Sequence, residues 1–322
     1  MSIKLRENYD IPPILGIIIP CYNEEEGIGR TVEQISHIIK NMIAKSKIST
    51  GSFILFVDDG STDRTFEETK NRKSELIRIV KLSKNEGHQY ALLAGIHYVD
   101  GKVDCAISID ADLQDDLTVI EKMIDKYMEG YEIVLGVRKD RSTDSLFKRY
   151  TARFFYFLMK KFGANLVKDH ADFRLLSSHA ITQLTLYKES NFFLRGVLML
   201  LSSKITVISY AQGRRVKGKS KYNLKKMISL AIQGITSFST TPIRLITILG
   251  FIIFVVCLLL SIHVLFAFVI GDTVPGWASI TLPLYFLGGI QMLSIGIVGE
   301  YIGKIYQESK RRPHYHIEEI IE

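Results

Sequence analysis

The sequence predicts an α/β domain with a mostly parallel sheet, followed by a C-terminal hairpin of two transmembrane helices. Three observations lead there. Short apolar runs alternate with longer mixed stretches over the first part of the 322-residue chain. Acidic, turn-forming clusters follow several of those runs, and two long stretches without Asp, Glu, Lys or Arg lie near the end.

The runs Leu15–Ile19, Phe53–Val57, Ile77–Lys81, Cys105–Ile109 and Ile133–Val137 have the length and composition of buried strands. Between them, the stretches around 24–45, 62–74, 87–98 and 117–128 have helical length or spacing. Such alternation reads as a mainly parallel sheet with helices on both faces, and ligands then bind beyond the carboxyl ends of the strands.

Leu245–Ile270 is 26 residues long and Trp277–Gly299 is 23, both uncharged. As a helix the first would span about 39 Å, enough to cross a bilayer with some tilt. The link Gly271–Gly276 carries one acid and no base, while basic residues flank the outer ends. The positive-inside rule then places both ends in the cytoplasm and the short turn outside. The first residues hold no apolar core of signal-peptide length before Pro12, in keeping with a cytoplasmic front. The expected division is a cytoplasmic α/β domain over 1–222, an amphipathic juxtamembrane helix over 223–242, two membrane helices over 243–305 and a cytoplasmic tail over 306–322. Tyr150–Phe162 and Asn223–Phe238 both read as amphipathic segments suited to the membrane interface.

Hydrophobic residues make up 47% of the chain, with a mean hydropathy of +0.14, and the excess lies after about residue 243. The net charge is +7, and much of it flanks the apolar stretches, at Lys225, Lys226, Arg244, Lys304, Lys310, Arg311 and Arg312. That placement points to an anionic membrane surface and away from nucleic acid. The three cysteines, Cys21, Cys105 and Cys257, lie in or beside apolar runs and read as buried free thiols.

Four clusters carry chemistry. Asp110-Ala111-Asp112-Leu113-Gln114 follows the fourth run, and two carboxylates at i, i+2 can hold one hard cation, magnesium or manganese, with Gln114 adding an oxygen. Pro20-Cys21-Tyr22-Asn23-Glu24 follows the first run. Glu24, Glu25 and Glu26 suit a helix N-terminus, and the polar and aromatic cluster also suits a base and ribose. Val57-Asp58-Asp59-Gly60-Ser61 follows the second, where Gly60 permits a tight turn and Ser61, Thr62 or Asp63 can cap the next helix. Arg214–Tyr222 is basic and rich in Gly and Ser, the composition of a loop that folds over a diphosphate or rests on lipid headgroups.

In this order and at these strand ends, the clusters resemble the family-two inverting glycosyltransferases of the GT-A fold, a Rossmann-like, mostly parallel architecture. The resemblance covers residues 10 to about 222 and extends to the two-helix tail. It lies nearest the polyprenyl-phosphate sugar synthases, the dolichyl-phosphate mannose synthases and bactoprenol glucosyltransferases. It implies nucleotide-sugar contacts from Pro20, Tyr22, Glu24, Val57, Asp59 and Ala111, and metal binding by Asp110, Asp112 and Gln114. It implies a phosphate contact from Arg138 and a loop closing on the diphosphate through Arg215, Ser220 and Lys221. Asp172 matches an acid near the acceptor, so Asp172 and Asp112 are the expected catalytic residues. Asn85, Gly87 and His88 fit a loop of the family, with no catalytic role for His88. Gln212-Gly213-Arg214-Arg215-Val216 lacks the tryptophan of the processive synthases, which favours a single transfer.

The expected reaction is an in-line displacement. A polyprenyl phosphate, undecaprenyl phosphate in bacteria, attacks the anomeric carbon of a nucleotide sugar and expels the nucleoside diphosphate. UDP-glucose and UDP-N-acetylglucosamine are the leading donors. The rivals are transfer to a hydroxyl acceptor of an envelope polysaccharide or glycolipid, and a non-catalytic membrane scaffold that binds nucleotide sugar. Association into homo-oligomers through the apolar segments is a further expectation.

Overall fold

The structure, a computed structural model, describes residues 11–138, 170–187, 189, 194–210 and 276–322, with individual residues between 246 and 270. The chain forms two compact units. One comprises Met1–Phe157, Asn165–Lys221 and Arg312–Glu322, and the other Leu158–Ala164 and Tyr222–Arg311.

The first unit contains β1 (Leu15–Cys21), α1 (Ile28–Ala44), β2 (Phe53–Asp58), α2 (Thr65–Lys70), β3 (Ile77–Leu82), α3 (His88–Val99), β4 (Cys105–Ser108), α4 (Val119–Met128) and β5 (Ile133–Arg138). After residues 139–169, which lie outside the described set, come β6 (His170–Ser177), α5 (Ser178–Thr185), α6 (Leu194–Leu201) and β7 (Ile205–Tyr210). The five apolar runs thus form the first five strands, and the mixed stretches between them carry α1 to α4.

All seven residues of β1 and all six of β2 are buried, the pattern of central strands covered on both faces. Ile17 and Ile19 of β1 join a core with Ile28, Val32, Ile35 and Ile39 of α1 and Met123 and Ile124 of α4. The alternate residue Ile18 meets α3, where a Cβ at Gly95 would stand 2.4 Å from Ile18 Cγ2 and 3.1 Å from Val57 Cγ2. Helices therefore cover opposite faces of the sheet.

Among the described residues, the sheet has eight strands in the order β7-β5-β6-β4-β1-β2-β3-β8. β4, β1, β2 and β3 run parallel, as do β5 and β7, while β6 runs antiparallel between β4 and β5. The sheet is thus mixed, more so than apolar periodicity alone implied. The chain steps from β1 outward to β2 and β3, then returns to the other side of β1 as β4. The point of reversal lies between β1 and β4, and in such sheets the ligand crevice lies at that point, outside the carboxyl ends of the strands.

The eighth strand, β8 (Ile317–Ile321), pairs antiparallel with β3. The segment expected as a tail over 306–322 instead ends as the edge of the sheet. Its two acids, Glu318 and Glu319, reach Lys81 at 2.9 Å and Lys70 at 3.3 Å, and Glu322 accepts from Tyr98 at 2.7 Å and Lys102 at 3.0 Å. His314 stacks on Tyr90 of α3, and Tyr315 hydrogen-bonds His97 at 2.7 Å. Cys21 and Cys105 are buried free thiols, as expected.

In the second unit, α7 (Trp277–Lys310) contains the whole of the second uncharged stretch and runs on past Gly299 to Lys310. Among the described residues, no helix is long and apolar enough to cross a membrane. Large apolar side chains are exposed at Ile280, Leu284, Ile295, Val298 and Ile302, and before α7 at Ile248, Ile252, Leu259, Ile262 and Phe266. The amphipathic segments expected at 150–162 and 223–238 lie outside the described residues.

Candidate active site

The first cluster sits where the sheet geometry can accept it. Pro20 and Cys21 end β1, opposite Val57 and Asp58 of β2. The Asp59 amide donates to the Cys21 carbonyl at 2.9 Å, so Cys21 faces β2 and its neighbour Pro20 faces the β4 side. The β1–β4 pairing ends at Ile18 and Ser108, and no ladder donor is required of the proline.

Beyond these ends, two loops are laced together. Asn23 takes a left-handed backbone (φ 54°), its amide donates to Ser61 Oγ, and its side-chain carbonyl accepts from the Thr62 amide at 2.9 Å. The Glu24 amide donates to Thr65 Oγ1 at 2.7 Å, and the Arg64 amide donates to Glu25 Oε2 at 3.0 Å. α1 starts only at Ile28, and its first turn holds no acid. Of the acids at 24–26, Glu25 serves this lacing through its carboxylate and Glu24 through its amide. Tyr22 is left 42% exposed on the rim.

The β2 residues divide by depth. Val57 is fully buried with its side chain toward Gly95, so that side chain belongs to the core. Asp59 is also buried, and its two oxygens accept from the amides of Glu86 (2.8 Å) and Gly87 (3.0 Å). Its role here is to hold the turn that leads into α3. Burial pushes its pKa up, while the two amides oppose that. Gly60 (φ 66°) lies against the same turn, and a Cβ there would stand 2.4 Å from the Lys84 carbonyl carbon. Asp58 accepts from the Ser61 amide through one oxygen, and the other has no hydrogen-bond partner among the described residues.

The turn fixed by Asp59 delivers His88, the first residue of α3. His88 Nε2 stands 3.6 Å from Asp110 Oδ1 and 3.5 Å from Asp172 Oδ2. Asp110 follows β4, and Asp172 reaches it because β6 runs antiparallel beside β4, with Arg174 opposite Ser108. Ser108 Oγ donates to the Asp172 carbonyl at 2.6 Å, and the buried Arg174 guanidinium pairs with the Asp172 carboxylate. Burial works against a charge on His88, yet Asp172 and Asp110 outweigh it and raise its pKa. Burial, opposed by His88 but reinforced by Asp172, Asp115 and Asp112, raises that of Asp110. His88, placed by resemblance in a family loop without a catalytic role, is the residue around which the two acids meet.

Ala111 is held by its carbonyl, which accepts from Thr31 Oγ1 of α1 at 2.8 Å. Asp112 is exposed and accepts from both the amide and the side chain of Gln114. Arg138, at the end of β5, bonds Asp115. Arg215, Ser220 and Lys221 lie outside the described residues. Among the described residues, no group of three or more His, Cys, Asp or Glu side chains is arranged to hold a metal ion. Asp110 and Asp112 nonetheless supply hard oxygens amid crowded negative charge, the donor chemistry that magnesium or manganese takes, and such ions use one or two carboxylates plus substrate phosphates.

The family model described as Glycosyl transferase family 2 matches residues 16–189. The chain belongs to that family. An uncharacterized glycosyltransferase of Bacillus subtilis, YkoT, is 48% identical over 311 residues, covering 95% of this chain and 91% of the relative. The bactoprenol glucosyl transferase of Shigella phage SfV is 37% identical over 309 residues, 94% of this chain and 97% of the relative. A prophage bactoprenol glucosyl transferase homolog of Escherichia coli is 36% identical over 314 residues, 95% and 99% of the two chains. Among solved structures, mannosyl-3-phosphoglycerate synthase of Rubrobacter xylanophilus superposes with a TM-score of 0.52 at 14% identity, covering 70% of this chain and 73% of that one. That likeness concerns the fold, a GT-A-like α/β mixed sheet. In this glycosyltransferase Asp110, Asp172 and His88 meet just after the end of β4, on the carboxyl side of the β1/β4 switch point.

Proposed function

We propose that this glycosyltransferase moves a sugar from a nucleoside diphosphate donor, UDP-glucose or UDP-N-acetylglucosamine, to undecaprenyl phosphate with inversion. The observation that carries the reading is the meeting of Asp110 and Asp172 around His88 at the β1/β4 crevice. Relatives named as bactoprenol glucosyl transferases, similar over nearly their whole length, support the acceptor class.

Pro20, Tyr22 and Glu24, at and just after the end of β1, contact the base and ribose. Asp110, Asp112 and the Gln114 amide oxygen would hold a divalent ion, and such an ion would supply positive charge against the diphosphate. Arg138, and Arg215, Ser220 and Lys221 of the basic segment, add donors to the phosphates. Asp172, braced by Arg174 and facing His88, orients the acceptor.

The acceptor phosphate oxygen forms a bond to the anomeric carbon as the bond from that carbon to the diphosphate oxygen breaks. The electron pair departs with the nucleoside diphosphate. A phosphate monoester has its second pKa near about 6, so no side chain needs to remove a proton. Asp172 therefore positions the acceptor, and rate comes from placing two anions together and stabilising the leaving group.

The exposed apolar side chains of α7 and of the 246–270 stretch support a membrane-anchored enzyme at the cytoplasmic face of the plasma membrane. In this reading both uncharged stretches cross the bilayer, and oligomers form through them. The test incubates the full chain in detergent with labelled UDP-glucose or UDP-N-acetylglucosamine, undecaprenyl phosphate and magnesium or manganese. Lipid-extractable label that a chelator abolishes is the expected result. Label appearing only on added hydroxyl acceptors, or none with either donor, overturns the proposal.

A further inference from the structure

Three side chains from separate segments meet in one cluster, Asp115 and Tyr210 buried and Arg138 partly exposed. Asp115 follows Gln114 in the loop after β4. Arg138 ends β5 and Tyr210 ends β7, and the parallel register of those strands sets the two opposite each other. The Tyr210 hydroxyl donates to Asp115 Oδ1 at 2.5 Å, and Arg138 donates to the same oxygen from Nη2 at 3.0 Å and from Nε at 3.3 Å. The Asp115 side chain is 1% exposed and that of Arg138 31%.

The fold makes room for this arrangement. Gly136 lies two residues before Arg138, and a Cβ there would stand 2.9 Å from Tyr210 Cε1 and 2.8 Å from the Phe173 carbonyl oxygen. The Tyr210 ring also packs edge-on against Phe173, with centroids 5.6 Å apart. Burial works against the Arg138 charge, but Asp115 and Tyr210 outweigh it and its pKa rises. A carboxylate buried this deeply is costly unless fully paired. Here it grips one side of a guanidinium that keeps a part of its surface free at the strand ends. An arginine held so loses less side-chain freedom when it meets an anion.

We infer that Asp115 and Tyr210 are positioning residues that hold the Arg138 guanidinium toward the β-phosphate of the departing nucleoside diphosphate. The inference rests on the proposed nucleotide-sugar reading. It differs from a purely structural ion pair in what it does to two nucleotides that differ by one phosphate.

The test measures UDP and UMP binding to the full chain in detergent with magnesium, for the unsubstituted protein and for Tyr210→Phe, Asp115→Asn and Arg138→Gln. Tyr210→Phe keeps the ring and serves where Asp115→Asn fails to fold. Each substitution weakens UDP about tenfold, the scale of one charge-assisted hydrogen bond, and leaves UMP within about twofold. In the Arg138→Gln background, Tyr210→Phe adds no further loss. Equal losses for UDP and UMP, additive losses in that background, or unchanged UDP binding in the variants overturn the inference alone. An unsubstituted chain that binds neither UDP nor UMP overturns the nucleotide reading and this inference together.

Discussion

Leu113 adopts a left-handed backbone with φ of 48°, a conformation from which a leucine gains nothing locally and which costs on the order of 1 kcal/mol. The turn folds Asp112 and Gln114 toward one another and leaves the Asp112 carboxylate at the surface of the crevice. Strain kept at such a place fits a carboxylate that must meet developing charge. Replacing Asp112 by Asn should lower turnover at least about a hundredfold, as loss of a transition-state electrostatic group does. Steady-state rates of lipid-linked sugar formation check this, and a near-normal rate removes Asp112 from the metal site. The Asp-x-Asp pair is legible in the sequence because adjacent residues carry it. His88 is not, because its partners come from β4 and β6, and only antiparallel insertion of β6 brings Asp172 to Asp110. Asp59 was legible as a strand-end acid, but its carboxylate is occupied by two amides of a loop that the sequence does not join to it.

At the scale of elements, α2 is a six-residue helix, too short to persist alone, and its start depends on Asp63. Asp63 Oδ1 accepts from the amide and hydroxyl of Thr65, and Oδ2 accepts from the Glu25 amide. Partial burial works against its charge, but these bonds outweigh it and lower its pKa. The stabilisation is therefore full above the unfolded pKa, near about 4, and is lost as pH falls through the folded value. Asp63→Ala should cost about 1 kcal/mol at neutral pH, with the difference from the unsubstituted chain shrinking below about pH 4. Paired thermal unfolding curves at several pH values check it. β8 behaves differently. Its ion pairs with Lys70, Lys81 and Lys102 are at the surface, where salt screens them. Amide exchange at Ile320 and Ile321 should quicken between low and high salt more than exchange in β1 or β2. Equal salt sensitivity in all three strands would show that the pairs do not hold the edge. The central strands are legible as unbroken apolar runs. β8 is not, since two acids in five residues read as a solvated tail, and neither is β6, whose buried Arg174 interrupts the apolar pattern.

For the whole molecule, β8 lies in the same sheet as β1, although the long apolar stretches intervene in the chain. If those stretches cross a bilayer, they must do so an even number of times. Cysteine placed at Asp272 should then react with an impermeant maleimide in intact cells, and cysteine at Asn71 only after permeabilisation. Labelling of both from the same side would refute two crossings. The division into a sheet domain and an apolar segment is legible from composition. The return of the chain to the sheet is not, because no local pattern announces a partner so far away.

Lys81 and Glu318 pair across 237 positions. The outer rim of the sheet consequently stays open during synthesis until the apolar stretches have emerged and found their place. Through that interval β3 presents unpaired amides and carbonyls, a template for any passing strand. A chain cut short before Ile317 would keep that template for good, and its hazard would be aggregation.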